Sequence, residues 1–203
     1  MVWNIVSDSS CDYLPSAFSS NIINFESVLL RIEVGEREFV DDEALDVPVM
    51  LAAMADEKTA SSTACPSPAD FARAYEKGEK TLCFTISANL SGTYNAAVMG
   101  RELLLDELYE KFREIFGYYP RVFGSWFFDT HTARYVSDKY GVDAFCNCKE
   151  QYGTDGYTLW GGYYGQGYYP SRTNVFLPAQ TEDQQIPVPL FRMLGSDHVY
   201  QYD

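Results

Sequence analysis

The stretch Ser91–Gly117, SGTYNAAVMGRELLLDELYEKFREIFG, constrains this chain more than any other, because its length and regularity demand one continuous helix. Ala97, Leu104, Leu108, Phe112 and Ile115 recur at helical spacing, and Leu103 and Phe116 widen the stripe. Arg101, Asp106, Lys111 and Glu114 fall mostly off it. Ser91 or Thr93 can cap the start, and Gly117 followed by Pro120 supplies the stop. Composition changes along this helix: most of the 16 tyrosines and two of the three tryptophans lie beyond residue 100. The expectation is a helix over about 93–116 whose apolar stripe serves both the first hundred residues and the last.

The first hundred residues alternate strands and helices. Val2–Val6 is a short apolar run closed by Ser7, Asp8, Ser9 and Ser10. That pattern predicts a buried parallel strand with small polar side chains at its carboxyl end, where open α/β sheets hold ligands. Pro15–Ser20 predicts a short helix, Asn21–Glu33 one or two strands, and Arg37–Val40 a strand pairing back across a turn at Gly35. Asp46–Met54 and Pro68–Lys77 read as helices, the second opened by Ser67 at the cap position and Asp70 at the third. Thr81–Ile86 is the next buried strand and feeds Ser87–Thr93 into the long helix. Two polar loops, 61–68 and 87–93, therefore lie just before helices. Hydroxyls and free helix-start N–H groups suit a carboxylate or phosphate. The same residues are equally plain helix caps.

Composition removes several classes of function. A net charge of −14 with no cluster of Lys and Arg argues against nucleic acid. Five cysteines, an odd number without paired spacing, read as reduced thiols of a cytoplasmic chain. No window approaches the ~20 apolar residues of a membrane span, and the start lacks the features of a leader peptide. At 203 residues the chain can bury roughly 70% of its surface, enough for one large or two small domains. No cofactor is indicated.

VSDSSCDYLP, STACPSPADF and ISANLSGTYNAA, in this order and at these intervals, resemble the amino-terminal domain of the DegV family of bacterial fatty-acid-binding proteins. The resemblance covers residues 1–100 and implies a parallel-sheet lobe, one of two domains that enclose a long-chain fatty acid. For some members it implies a fatty acid kinase as partner. It also implies that Thr63 and Ser91 hydrogen-bond the carboxylate and that Gly92 permits close backbone approach, with Ser9 and Ser10 as further candidates. The family's TSQPSP stands here as Thr63-Ala64-Cys65-Pro66-Ser67-Pro68. The second domain, which supplies the other wall of the acyl tunnel, has no recognisable counterpart, so an incomplete lipid-binding module is expected.

Beyond residue 100 the βα alternation continues, with a strand over Arg121–Phe128, a helix over Thr132–Tyr140 stopped by Gly141, and a strand over Val142–Cys146. The stretch from about residue 105 to Asp203 resembles uncharacterised bacterial proteins related to the glycoside hydrolase and polysaccharide deacetylase β/α-barrels, which implies a barrel fragment over 101–203. Gly153–Tyr169 is glycine- and aromatic-rich. It reads as a sugar platform built on Trp160 and its tyrosines, or as a loop packed on its own domain. Asp129 and His131 are spaced as a metal or acid–base pair that would need a third ligand from Asp143, Glu150 or Asp155; Asp129-Thr130-His131-Thr132 is equally a helix cap. Asp129, Asp143, Asp155 and Glu182 allow several carboxylate pairs for glycoside hydrolysis without selecting one. Cys146 and Cys148, lacking a second cysteine pair, read as buried thiols. The sequence thus favours fatty-acid binding over catalysis. A carbohydrate-active hydrolase or deacetylase in the second half is the alternative, and an inactive chimera of two partial folds is the third reading.

Overall fold

A computed structural model of the chain describes residues 2–56, 60–78, 80–125, 128–148 and 166–193. They divide into two compact units, Met1–Asp106 and Glu107–Asp203. In the first unit, β1 (Trp3–Asp8) is the centre of a parallel sheet, flanked by β2 (Ile23–Val28) in register Ile5 to Phe25. β3 (Arg31–Val34) and β4 (Arg37–Val40) form the expected hairpin. α1 (Val47–Asp56) begins where the Asp46 carboxylate accepts the Val49 N–H at 3.1 Å. β5 (Ser62–Ala64), read in the sequence as plain loop, adds to β3 antiparallel with Thr63 opposite Ile32.

α2 (Pro68–Tyr75) starts with a capping box, in which the Ser67 hydroxyl accepts the Asp70 N–H and the Asp70 carboxylate accepts the Ser67 N–H. β6 (Lys80–Phe84) completes the parallel sheet in the order β2-β1-β6. α3 runs from Thr93 to Phe116, and the boundary between the units falls inside it. The architecture is α/β with a parallel sheet, as the sequence implied.

The core of the first unit joins Val6 and Val28 on one sheet face to Phe71 and Ala74 of α2 and Ala96 and Ala97 of α3. Asn4, fully buried on that face, donates to the Ala74 carbonyl at 2.8 Å and accepts from Asn24 at 2.9 Å, which ties the end of α2 to two strands. α3 meets α2 at Gly100: a Cβ there would stand 2.7 Å from Phe71 Cβ and 2.8 Å from the Pro68 carbonyl, so only glycine lets the helices come this close. The opposite sheet face is bare in places. Trp3, Leu82 and Phe84, alternate residues along β1 and β6, are 40%, 48% and 56% exposed.

The expectation of one buried stripe along α3 is corrected. Leu103, Leu108, Ile115 and Phe116 are 45%, 55%, 75% and 55% exposed, and the helix is buried through Ala96 and Ala97 in the first unit and through Tyr109 in the second. Each unit takes its own patch of the helix, and the small residues at 96, 97 and 100 allow closer packing than the leucines do.

In the second unit, β7 (Val122–Gly124) is shorter than the predicted Arg121–Phe128 strand, because Phe128 turns inward onto Phe123 and Phe145. α4 (Thr130–Tyr140) ends at Gly141 in a left-handed conformation. β8 (Ala144–Cys148) pairs parallel with β7 and with β10 (Leu190–Met193), and β9 (Gly167–Tyr168) closes the order β7-β8-β10-β9 antiparallel. Tyr109 stacks on Tyr140 at 4.2 Å, and burial pushes its hydroxyl up to about 12. No helix of the described residues is long and apolar enough to cross a membrane.

Candidate functional site

The two polar loops picked out in the sequence meet. A Cβ on Gly92 would lie 3.6 Å from the Cys65 sulfur, which brings the Ser62–Pro68 segment against the start of α3. Thr63 is exposed at the middle of β5, and its hydroxyl has no partner among the described residues. Its neighbour Ser62, on the other face of the strand, donates to the Glu33 carboxylate at 3.0 Å. Ser91 is partly buried; its hydroxyl accepts the Thr93 N–H at 3.3 Å and lies 2.9 Å from the Thr93 hydroxyl, which fixes its orientation at the helix start.

The two helix starts differ electrostatically. The start of α2 already holds the Asp70 carboxylate, whose titration is held low first by its hydrogen bond from the Ser67 hydroxyl, at 2.7 Å. The first turn of α3 carries no acidic residue, and α3 is 24 residues long against eight for α2. The Ser91 and Thr93 N–H groups are already taken, by the Ser87 carbonyl and the Ser91 hydroxyl, but no carboxylate offsets the positive end of the helix dipole at the start of α3, where an incoming anion gains most.

Ser9 and Ser10 have structural work. The Ser9 hydroxyl accepts the Leu30 N–H at 3.0 Å, and the Ser10 hydroxyl and N–H both donate to Asp8. Asp8 was not singled out in the sequence, although an acid closing an apolar strand before Ser-Ser was a visible signal. It is 1% exposed, and its second oxygen accepts the Ile86 N–H at 2.7 Å. That bond binds the carboxyl ends of β1 and β6 and sets where the Ser87–Thr93 loop departs. Two cavities of about 480 and 300 Å³ open in this unit. Ser9, Tyr13, Leu29 and Glu43 help line the larger, Glu26, Arg31 and Lys77 the smaller, and neither reaches Thr63, Ser91 or Gly92.

In the second unit Asp129 is the N-cap of α4, accepting the Thr132 N–H at 2.8 Å, and the His131 ring is parallel to that of Tyr135 at 6.5 Å. Among the described residues no three His, Cys, Asp or Glu side chains converge as a metal site. Cys146 is half-buried, not the fully buried thiol expected. Glu150, Asp155, His198 and residues 153–165 of the aromatic loop lie outside the described residues, whereas the end of that stretch, read as loop, carries the strand β9 at Gly167–Tyr168.

The sequence profile of the DegV family, described as uncharacterised proteins, matches residues 2–136. The chain belongs to the DegV family. The match runs past the three motifs through α3 and into α4. A DegV domain-containing protein of Streptococcus gordonii is 39% identical over 107 residues, which are 53% of this chain and 38% of that protein. One from Streptococcus pneumoniae serotype 4 is 38% identical with the same coverage. The Streptococcus pneumoniae Fatty Acid Kinase (Fak) B3 protein loaded with linoleic acid is 38% identical, with a TM-score of 0.50 over 53% of this chain and 38% of that one. The chain thus spans well under half the length of the DegV relatives it matches.

Proposed function

We propose that this DegV chain is a fatty-acid-binding module that holds the carboxylate of a long-chain fatty acid at the start of α3. The observation that carries the reading is the meeting of the Thr63 and Ser91 loops at Gly92, beside a helix start with no acid of its own. Thr63 and Ser91 donate their hydroxyls to the carboxylate, and Gly92 leaves the backbone open to it. The linoleic acid of the pneumococcal relative and the family motifs supply the ligand class. By the same likeness, a fatty acid kinase is the proposed enzyme partner.

The carboxylate end is the part of the site this chain supplies. An acyl chain left on one wall forgoes about 0.8 kcal/mol for every CH₂ that stays in water, so affinity is expected below that of a fully enclosed ligand. Native mass spectrometry of the purified chain tests the reading by detecting co-purified fatty acid, and titration with linoleic acid measures the affinity. Thr63→Ala and Ser91→Ala each weaken binding by about 1–3 kcal/mol, the range of hydrogen bonds to a charged group. Equal affinity in the wild type and both variants would place the carboxylate elsewhere.

A further inference from the structure

The larger cavity of the first unit, about 480 Å³, has the size of a small-molecule site, roughly 300–1,000 Å³, and reaches none of Thr63, Ser91 and Gly92. One wall is the segment after β1 that carries Asp12, Tyr13 and Leu14; the other is the turn between β4 and α1 that carries Asp41, Asp42 and Glu43. The Glu43 carboxylate accepts the Ser16 N–H at 3.0 Å and so ties the two segments together. Asp42 accepts the Ala44 N–H at 2.8 Å. These bonds leave the negative charges standing. No Lys, Arg or His lines the cavity, and none of the four carboxylates is in an ion pair among the described residues.

The hydroxyls of the lining point the same way. Ser9 is 9% exposed, and of the two lone pairs on its oxygen only one is answered, by the Leu30 N–H at 3.0 Å. Ser27, half-buried on the same cavity, has no side-chain partner among the described residues. The lining is thus rich in acceptors and holds no cationic donor, and a buried acceptor without a donor is costly. Among the described residues no three acids converge as a metal site, so the matching positive charge is spread along a ligand and not held at one point. Tyr13 and Leu14, each 47% exposed, and Leu29 add apolar surface to the same walls.

We propose that this cavity binds a linear polyamine, an alkyl chain with ammonium groups spaced along it. The ammonium groups donate to the carboxylates of the two walls and to the open lone pair of Ser9, and the methylenes between them lie on Tyr13, Leu14 and Leu29. A single amine answers one wall only, and a bare divalent cation leaves the apolar surface wet. The net charge of −14 raises the local concentration of any cation, whereas the cavity selects for length and apolar content.

The full chain is titrated with spermidine, butylamine and Mg²⁺ at constant ionic strength, following heat by calorimetry and the melting temperature. Saturable binding of spermidine is expected, with butylamine about tenfold weaker and Mg²⁺ unable to displace spermidine. Asp12→Asn and Asp41→Asn, one from each wall and each close in size to the residue replaced, weaken spermidine by about tenfold, and either decides should the other fail to fold. Glu114→Gln removes an exposed acid of α3 that does not line the cavity; it makes the same change in net charge and leaves the affinity unaltered. The proposal is overturned by the lack of a saturable response to spermidine, by equal affinity for butylamine, by displacement with Mg²⁺, or by cavity variants that behave as Glu114→Gln does.

Discussion

The two oxygens of Asp8 serve three donors, the N–H and hydroxyl of Ser10 and the N–H of Ile86, seventy-eight residues away. A buried carboxylate holding a distant backbone N–H positions the loop that follows it, so Asp8 acts on the candidate site without touching a ligand. Asp8→Ala leaves the Ile86 N–H unanswered and costs about 1–3 kcal/mol of stability, measured by urea unfolding. It also weakens linoleate binding, because Ser91 loses the anchor of its loop. Thr63, Ser91 and Gly92 were singled out because three motifs stood in register, and the structure brings their two loops together. The work of Ser9 was not legible, since its partner Leu30 lies 21 residues away in sequence, whereas the partner of Ser10, Asp8, stands only two residues before it. Asp129 shows the same ambiguity: an Asp two residues before a His reads as a ligand or as a cap, and only the 2.8 Å bond to the Thr132 N–H identifies the cap.

The elements that frame the carboxylate loops are α2 and α3, and each has a residue on which it depends. The Ser67 hydroxyl, more than the neighbouring Arg73, holds the Asp70 carboxyl below the ordinary aspartate value of 3.8. A carboxyl depressed in the folded state stabilises fully above its unfolded value, and that contribution is lost as pH falls through the lower folded value. Asp70→Asn therefore flattens the fall of stability below about pH 4, read from melting temperatures across an acid series. Gly100 sets the spacing of the two helices, with Phe71 and the Pro68 carbonyl against it. Gly100→Ala forces them apart at a cost of about 1–3 kcal/mol, the range for overpacking, and spreads the two loops at the same time. Chemical denaturation should show the first effect and a loss of linoleate affinity the second.

Helix starts and stops were legible in the sequence, as Ser67 and Gly141 show. The burial pattern of α3 was not, because periodicity identifies an apolar stripe but not how much of it finds a partner. β5 was hidden for a different reason: three residues, Ser62–Ala64, carry no alternation, and only the waiting edge of β3 makes them a strand.

At the scale of the whole molecule, the family match over residues 2–136 and the 38% coverage of the DegV relatives describe part of a larger design. Parallel sheets are normally covered on both faces. Here the face bearing Val6 is covered by two helices, while the face bearing Trp3, Leu82 and Phe84 is only partly covered, with Tyr13 and Phe18 packed on Phe25. Residues already wet in the native state contribute little new apolar hydration when the chain unfolds. The heat-capacity increment of the first unit is therefore expected to fall below the usual 12–15 cal/mol/K per residue, roughly, and scanning calorimetry of the full chain measures the shortfall. A smaller increment flattens the curve of stability against temperature, so this sheet, half clothed, should lose less of its margin on cooling than a fully enclosed one of the same length.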